Sequence, residues 1–232
     1  MNEQEAPVVN EQRTAGWRAL FVALEGGEAA GKSTQAAMLA ETLGAVLTRE
    51  PGGTALGRAI RALVLDGGDC DVRTEALLMA ADRAEHLATV VRPALRDGRD
   101  VVTDRSSGSF WAYQGWGRSL GLDIAREIDR FATQGLEPDV FVLLDASASV
   151  RRARREAASD RMERESVEFH ERVAEGFRCL AAADPARWCV VDGTGAAAEV
   201  HTRVLAAVAR VRSGEPAAEP APDPDDLRRH AD

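Results

Sequence analysis

The segment Gly26-Gly27-Glu28-Ala29-Ala30-Gly31-Lys32-Ser33 constrains this chain more than any other. It fits the spacing GxxxxGK[ST]. An apolar run, Ala19 to Leu24, precedes it, and a helical stretch, Thr34 to Leu43, follows it. The glycines let the backbone fold tightly and aim its N–H groups at phosphate oxygens. A helix that starts directly after the loop adds the positive end of its dipole. Lys32 is then placed to reach β- and γ-phosphates, and Ser33 to offer a hydroxyl to Mg²⁺. The whole stretch from Gly26 to Thr34 is expected to hold ATP.

The rest of the chain supplies the scaffold that such a loop needs. Short apolar runs recur at Ala45 to Leu47, Val101 to Val102, Val140 to Leu144 and Cys189 to Val191. Continuous apolar runs suit strands buried on both faces of a parallel sheet. Helical patterns lie between them. Leu77, Leu78, Ala81, Ala84, Leu87 and Val91 share one face; Leu122, Ala125, Ile128 and Ala132 share another. Val173, Phe177 and Leu180 form a third, and Val200, Val204, Leu205, Val208 and Val211 a late one. Strands alternating with helices predict an α/β domain with right-handed crossovers. Ligands in such sheets bind at the carboxyl ends of the strands.

At 232 residues and 45% hydrophobic, the chain suits one domain with a single well-buried core. We place that domain at 17–212. A flexible polar lead, 1–16, precedes it. The segment 213–232 is rich in proline and acidic residues, with little to bury, and is expected to be disordered. The net charge of -9 argues against a general nucleic-acid or membrane binder. Any anionic ligand must find a local basic pocket. Three cysteines without a CxxC spacing, no long apolar span and no signal core point to a cytoplasmic protein. A phosphate loop alone does not name the acceptor. The absence of an NKxD-type guanine motif and the modest length favour a small-molecule kinase.

Three further stretches stand where strands should end. Thr48-Arg49-Glu50-Pro51-Gly52-Gly53-Thr54 follows the second run. Asp104-Arg105 and then Ser109-Phe110-Trp111-Ala112-Tyr113-Gln114-Gly115 follow the third, and Asp82-Arg83 lies on the helix between. Together with the phosphate loop, TREPGGT and DRxxxSxxAYQG resemble the pattern of the thymidylate kinases, from about Leu20 to Val211. The resemblance implies a P-loop NTPase fold, with a five-stranded parallel sheet and helices on both faces. It also implies Mg²⁺-dependent transfer of phosphate from ATP to dTMP, and a homodimer.

By the same resemblance, Arg49, Pro51, Met79, Arg83, Arg105, Ser109, Phe110, Tyr113 and Gln114 line the dTMP site. Arg83 and Arg105 offer planar forks suited to the acceptor's 5′-phosphate. Glu28 accepts a hydrogen bond from the sugar 3′-hydroxyl, and Tyr113 crowds the sugar 2′ position. Asp104 either binds Mg²⁺ through water or orients Arg105. A lid over about 149–165 is expected to bring Arg155 or Arg161 to the transferring phosphate, because the phosphate loop has no basic residue between Gly27 and Ala30. Asp192-Gly193-Thr194-Gly195 is the expected adenine-side loop. The chain departs from the family near the base. Met79 stands where an aromatic residue usually stacks on thymine, Phe110 where Thr or Asn is common, and Ser106 where an aromatic or histidine follows the DR pair. These departures keep another pyrimidine nucleoside monophosphate, such as dUMP, as an alternative acceptor. A non-catalytic nucleotide-binding protein is a third reading.

Overall fold

The computed structural model describes residues 19–146, 150, 161, 162 and 164–217. The expected lead at 1–16, most of the expected lid, Arg155 included, and the segment 218–232 lie outside them.

Each apolar run is a strand, lengthened at its carboxyl end. The strands are β1 (Phe21–Glu25), β2 (Val46–Arg49), β3 (Val101–Asp104), β4 (Val140–Asp145) and β5 (Trp188–Asp192). They form one parallel sheet in the order β2-β3-β1-β4-β5. All five end on a charged residue: Glu25, Arg49, Asp104, Asp145 and Asp192. The apolar parts of β1, β3 and β4 are core, the edge strands β2 and β5 leave Leu47 and Val190 exposed, and the terminal charges mark the edge where ligands bind in such sheets.

The two faces of the sheet bury different residues, as the period of two requires. On one face Ala23, Phe141, Leu143 and Trp188 pack with Phe110, Phe169 and Phe177. On the other, Val22, Leu24, Val142 and Leu144 meet Leu39, Val204 and Val208. The helices are α1 (Lys32–Leu43), α2 (Ala55–Leu65), α3 (Val72–His86), α4 (Arg92–Arg96), α5 (Ser107–Phe110), α6 (Leu122–Thr133), α7 (Val167–Ala183) and α8 (Ala197–Arg212). Two wide π-helical turns interrupt them, Leu87–Val91 between α3 and α4 and Trp111–Gly117 after α5. Such turns often sit at functional sites. The second carries Tyr113 and Gln114.

Three expectations need correction. The first helix begins at Lys32 rather than Thr34, with Gly31 at its cap in the left-handed region. The inward face of α3 is not the apolar stripe expected. Leu77 is 59% exposed and Ala81 is exposed, while Glu75, Ala80, Asp82, Arg83 and His86 are buried. The helix turns charge inward because those charges pair across the cleft, and the π-helical turn then brings Leu87 and Val91 back to the core. Disorder also does not begin at Ser213. Ala217 is 1% exposed and its N–H donates to the Ala186 carbonyl. Among the described residues, no helix is long and apolar enough to cross a membrane.

The phosphate loop is fixed by contact with β4. Gly26 has φ +137°, and a Cβ there would lie 2.7 Å from the Leu144 carbonyl oxygen. Only glycine fits, since both the backbone angle and the space forbid a side chain. The loop is thereby seated between β1 and β4, at the centre of the ligand-binding edge.

Candidate active site

A cleft of about 460 Å³ opens at this edge. Its walls are the phosphate loop, the Arg49-Glu50-Pro51 turn, one face of α3, the segment from Asp104 to Gln114, and Met162. Glu28, Ala29, Gly31, Lys32, Ser33 and Thr34 line it, whereas Gly26, Gly27 and Ala30 do not. Every residue expected at the acceptor lines it too: Arg49, Pro51, Met79, Arg83, Arg105, Ser109, Phe110, Tyr113 and Gln114.

At one end the geometry suits phosphate and a cation. Lys32 Nζ donates to the Gly27 carbonyl at 2.7 Å, which holds the ammonium inside the loop. Burial, and then the nearby Arg105 charge, bring its pKa down to about 8, against the pull of Glu28, Asp104 and Glu25. The Ser33 hydroxyl donates to Asp104 Oδ2 at 2.5 Å. Asp104 Oδ1 is buried with no hydrogen-bond partner among the described residues. A hydroxyl and a carboxylate with an orphaned oxygen, beside a phosphate loop, are the hard donors that Mg²⁺ takes. The residues therefore fit that ion.

Arg105 links the loops around this end. Its backbone has φ +73°, a left-handed conformation that non-glycine residues adopt at a cost, often at functional sites. That turn sends its side chain back over β1. The NH1 group donates to the Gly26 carbonyl at 3.1 Å and to Ser109 Oγ at 3.0 Å, and NH2 to Glu28 Oε1 at 2.5 Å and Tyr113 Oη at 3.2 Å. The guanidinium also lies over the Tyr113 ring, 4.9 Å from its centroid. Tyr113 Oη in turn donates to Glu28 Oε1 at 2.7 Å. Arg49 makes no ion pair among the described residues and remains an open cation on the cleft wall. Behind Arg105 sits a residue that sequence reasoning missed. Glu25 is fully buried and accepts the Ser106 N–H at 3.0 Å and the Ser109 hydroxyl at 2.5 Å. Burial pushes its carboxyl up to about 7, with the Ser109 hydrogen bond and the Arg105 charge opposing.

The other end of the cleft is charged but balanced. Arg83 does not stand among the phosphate-loop donors. Its Nε donates to Glu50 Oε2 and its NH1 to Asp129 Oδ1, both at 2.8 Å, and the guanidinium lies over the Phe110 ring at 5.1 Å. His86 Nδ1 sits 2.7 Å from the other Glu50 oxygen, and Thr48 Oγ1 lies 2.7 Å from His86 Nε2. Two carboxylates already neutralise Arg83, so it makes a poor clamp for a further dianion. Arg161 differs from expectation as well. Its Nε donates to the Val64 carbonyl at 2.9 Å and its NH2 to Glu75 Oε2 at 2.5 Å. It lies behind the wall and seats Met162 on the cleft. The loop expected on the adenine side is held by Arg203, which donates to the Asp192 carbonyl at 2.7 Å and the Thr194 carbonyl at 2.9 Å.

A family model described as thymidylate kinase matches residues 24–204. The chain belongs to the thymidylate kinase family. It is 47% identical to a thymidylate kinase of Synechococcus sp. (strain JA-3-3Ab) over 194 residues, covering 82% of this chain and 95% of the relative. It is 43% identical to a thymidylate kinase of Desulfosudis oleivorans over 208 residues, covering 83% and 97%. The structure is similar to a crystal structure of thymidylate kinase from Ehrlichia chaffeensis, with a TM-score of 0.71 at 28% identity, covering 82% of this chain and 99% of that one. Within this thymidylate kinase framework, the motif residues of the sequence fall around one cleft.

Two measurements test the phosphate end. Asp104→Asn removes a charged oxygen donor, and the Mg²⁺ concentration for half-maximal activity should rise about 10–100-fold; an unchanged requirement would leave Asp104 only an orienting role. Burial pushes the Glu28 carboxyl up, but Arg105, Lys32 and the Tyr113 hydroxyl outweigh it and hold it at about 2, below the ordinary 4.5. Ionised Glu28 thus stabilises the fold at neutral pH, and that contribution is lost as pH falls from about 4.5 toward 2. Glu28→Gln should flatten the fall of Tm between about pH 5 and about pH 3, and parallel curves for the two proteins would count against this account.

Proposed function

We infer that the chain transfers the γ-phosphate of ATP to dTMP, giving ADP and dTDP. The observation that carries this is the pairing, in one cleft, of a phosphate loop with the Arg49, Arg105 and Tyr113 wall of the acceptor pattern. Phosphoryl transfer passes through a loose, in-line transition state, and the protein acts by positioning and by charge. The loop's N–H groups and Lys32 hold the donor phosphates. Ser33 and Asp104 would hold Mg²⁺, which when bound would supply neutralising charge for the donor phosphates. Arg105 and Arg49 meet the 5′-phosphate of the acceptor. Glu28 receives the 3′-hydroxyl, and Tyr113 closes the sugar pocket against a 2′ substituent. No covalent intermediate is needed.

The base lies at the balanced end, between Met79 and Phe110. Arg83 is better suited to a neutral acceptor atom there than to phosphate, since it has only donors and its charge is already met. A thymine carbonyl has that chemistry. Arg155 is our candidate for the arginine that reaches the transferring phosphate, given where Arg161 is bound. Three free cysteines fit a reducing, cytoplasmic setting.

The assembly we propose is a homodimer. Leu56 and Leu63 on α2, Leu77 on α3, and Ile124 and Phe131 on α6 are exposed, Phe131 to 90%. These helices pack on one another, α2 with α3 and α3 with α6. An exposed apolar surface of this kind marks an interface, and two-fold symmetry lets the same helices serve both partners. Sedimentation should give about twice the chain mass of 24.9 kDa, and a dimer that falls apart in Phe131→Glu would locate the contact.

The direct test of the activity is ADP release with ATP, Mg²⁺ and a panel of dTMP, dUMP, the ribose form of TMP, dCMP, AMP and GMP. Turnover should be dominated by dTMP. Preference for dUMP would favour the alternative acceptor that Met79 suggests. In the same assay Phe110→Ala should raise the KM for dTMP about tenfold or more, as loss of an aromatic contact to a base does. An unchanged KM would remove Phe110 from base recognition.

A further inference from the structure

Met79, Ser106 and Phe110 depart from the family pattern near the base, so selectivity leans on the polar residues that remain there, Arg83 and Gln114, and on what positions them. The clearest positioning group lies one helical turn behind Met79. Glu75 is 1% exposed and stands at i-4 from Met79 on α3. It accepts hydrogen bonds from Gln114 Nε2 at 3.0 Å, Arg118 Nε at 3.0 Å and Arg161 NH2 at 2.5 Å. Gln114, also 1% exposed, lies four residues beyond Phe110 and lines the cleft. Glu75 and Gln114 therefore meet at the base end.

An amide side chain has two faces, a donor NH₂ and an acceptor carbonyl, and its neighbours decide which one points where. Burial pushes the Glu75 carboxyl up, but hydrogen bonds from Arg118, Arg161 and Gln114 hold it below its ordinary value. Glu75 is thus a carboxylate, which only accepts. It takes the NH₂ end of Gln114 and leaves Oε1 without a partner among the described residues, on a residue that lines the cleft. We propose that Glu75 sets base selectivity at one remove, by locking the Gln114 amide with its carbonyl toward the base.

A carbonyl there accepts an N–H from the base. Thymine and uracil carry that hydrogen at N3, next to a 4-carbonyl that suits the donors of Arg83. Cytosine presents a bare N3 and a 4-amino group, so acceptor would meet acceptor and donor would meet donor. Sites built around buried polar partners reject a mismatched ligand strongly, because the groups are left unpaired. Glu75 touches no substrate and is a positioning residue. Arg118 and Arg161 serve it by keeping the carboxylate charged in a buried place.

The inference rests on the thymidylate kinase reading, which wild-type turnover of dTMP tests by itself. The experiment measures Kd by calorimetry for dTMP, dCMP and N3-methyl-dTMP, in wild type and in three variants. Wild type should bind dTMP far more tightly than either analogue. Equal binding of all three would overturn the proposal whether or not any variant folds. In Glu75→Gln the new amide can donate to Gln114 Oε1, so Gln114 can turn over. The dCMP-to-dTMP Kd ratio should then fall about tenfold or more. Glu75→Asp keeps a charge for the two arginines but withdraws it from the amide, and should move the ratio in the same direction. Arg118→Lys disturbs another partner of Glu75 and leaves the Gln114 contact, so it should lower Tm and leave the ratio alone. A ratio unmoved in both Glu75 variants, or moved equally by Arg118→Lys, would reduce Glu75 to a structural role.

Discussion

The ion pair between Arg105 and Glu28 is the interaction on which the rest of the site depends. Arg105 leaves β3 and Glu28 lies in the loop after β1, so the pair joins two strand ends that the sheet alone holds only by their backbones. Tyr113 closes a triangle with both, which adds the π-helical turn to the same knot. Both side chains are only partly buried, so removing one partner leaves the other's charge on the cleft wall without its fixed counter-charge. The pair thus fixes the guanidinium on the cleft wall, where the proposed function needs a cation in place before the acceptor phosphate arrives. Preorganised charge of this kind is what phosphoryl transfer needs, since little reorganisation remains for the reacting state.

A second rank of carboxylates holds the first rank of cations. Glu25 takes the Ser106 N–H and the Ser109 hydroxyl, and so fixes the turn that aims Arg105. Glu50 and Asp129 do the same for Arg83, and Glu75 for Arg118 and Arg161. Each of these carboxylates is buried and unfavourable by itself. They are tolerated because an arginine fork supplies several donors at a fixed angle. The acidic net charge is therefore no obstacle to binding polyanions. Part of it is spent inside, in orienting the positive groups.

The strands were legible because a parallel sheet, buried on both faces at its centre, writes itself as apolar runs, and the phosphate loop because glycine and lysine spacing is a local matter. Residue motifs named Arg49, Arg105, Tyr113 and Gln114, and these line one cleft. What stayed hidden was pairing over long sequence distances. Arg83 meets Glu50 and Asp129, 33 and 46 positions away, and Arg161 meets Glu75, 86 positions away. No periodicity reports such contacts. The same cause shifted the face of α3. A hydrophobic pattern puts Leu77 inside, but the cleft wall draws Glu75, Asp82, Arg83 and His86 inward instead, and leaves Leu77 for an outer surface. Glu25, Glu75 and His86 gave one weak signal, namely an ionisable residue inside or beside an otherwise apolar stretch.

These pairings also give the cleft a direction. At the phosphate-loop end Lys32 and Arg105 stand beside Glu28 and the buried Glu25, Asp104 is turned to Ser33, and Arg49 has no ion pair among the described residues. At the base end Arg83 is matched by Glu50 and Asp129, and Arg118 and Arg161 by Glu75 and Glu165. Positive charge is left open at one end and cancelled at the other. A nucleoside monophosphate carries the opposite arrangement, with a dianion at one end and a neutral ring at the other. The reversed pose would bring the phosphate against Glu50 and Asp129 and strip the base-side donors of neutral partners. On the proposed pose, orientation would follow from this balance of charges before any hydrogen bond to the base is made, which leaves those hydrogen bonds the narrower task of telling one base from another.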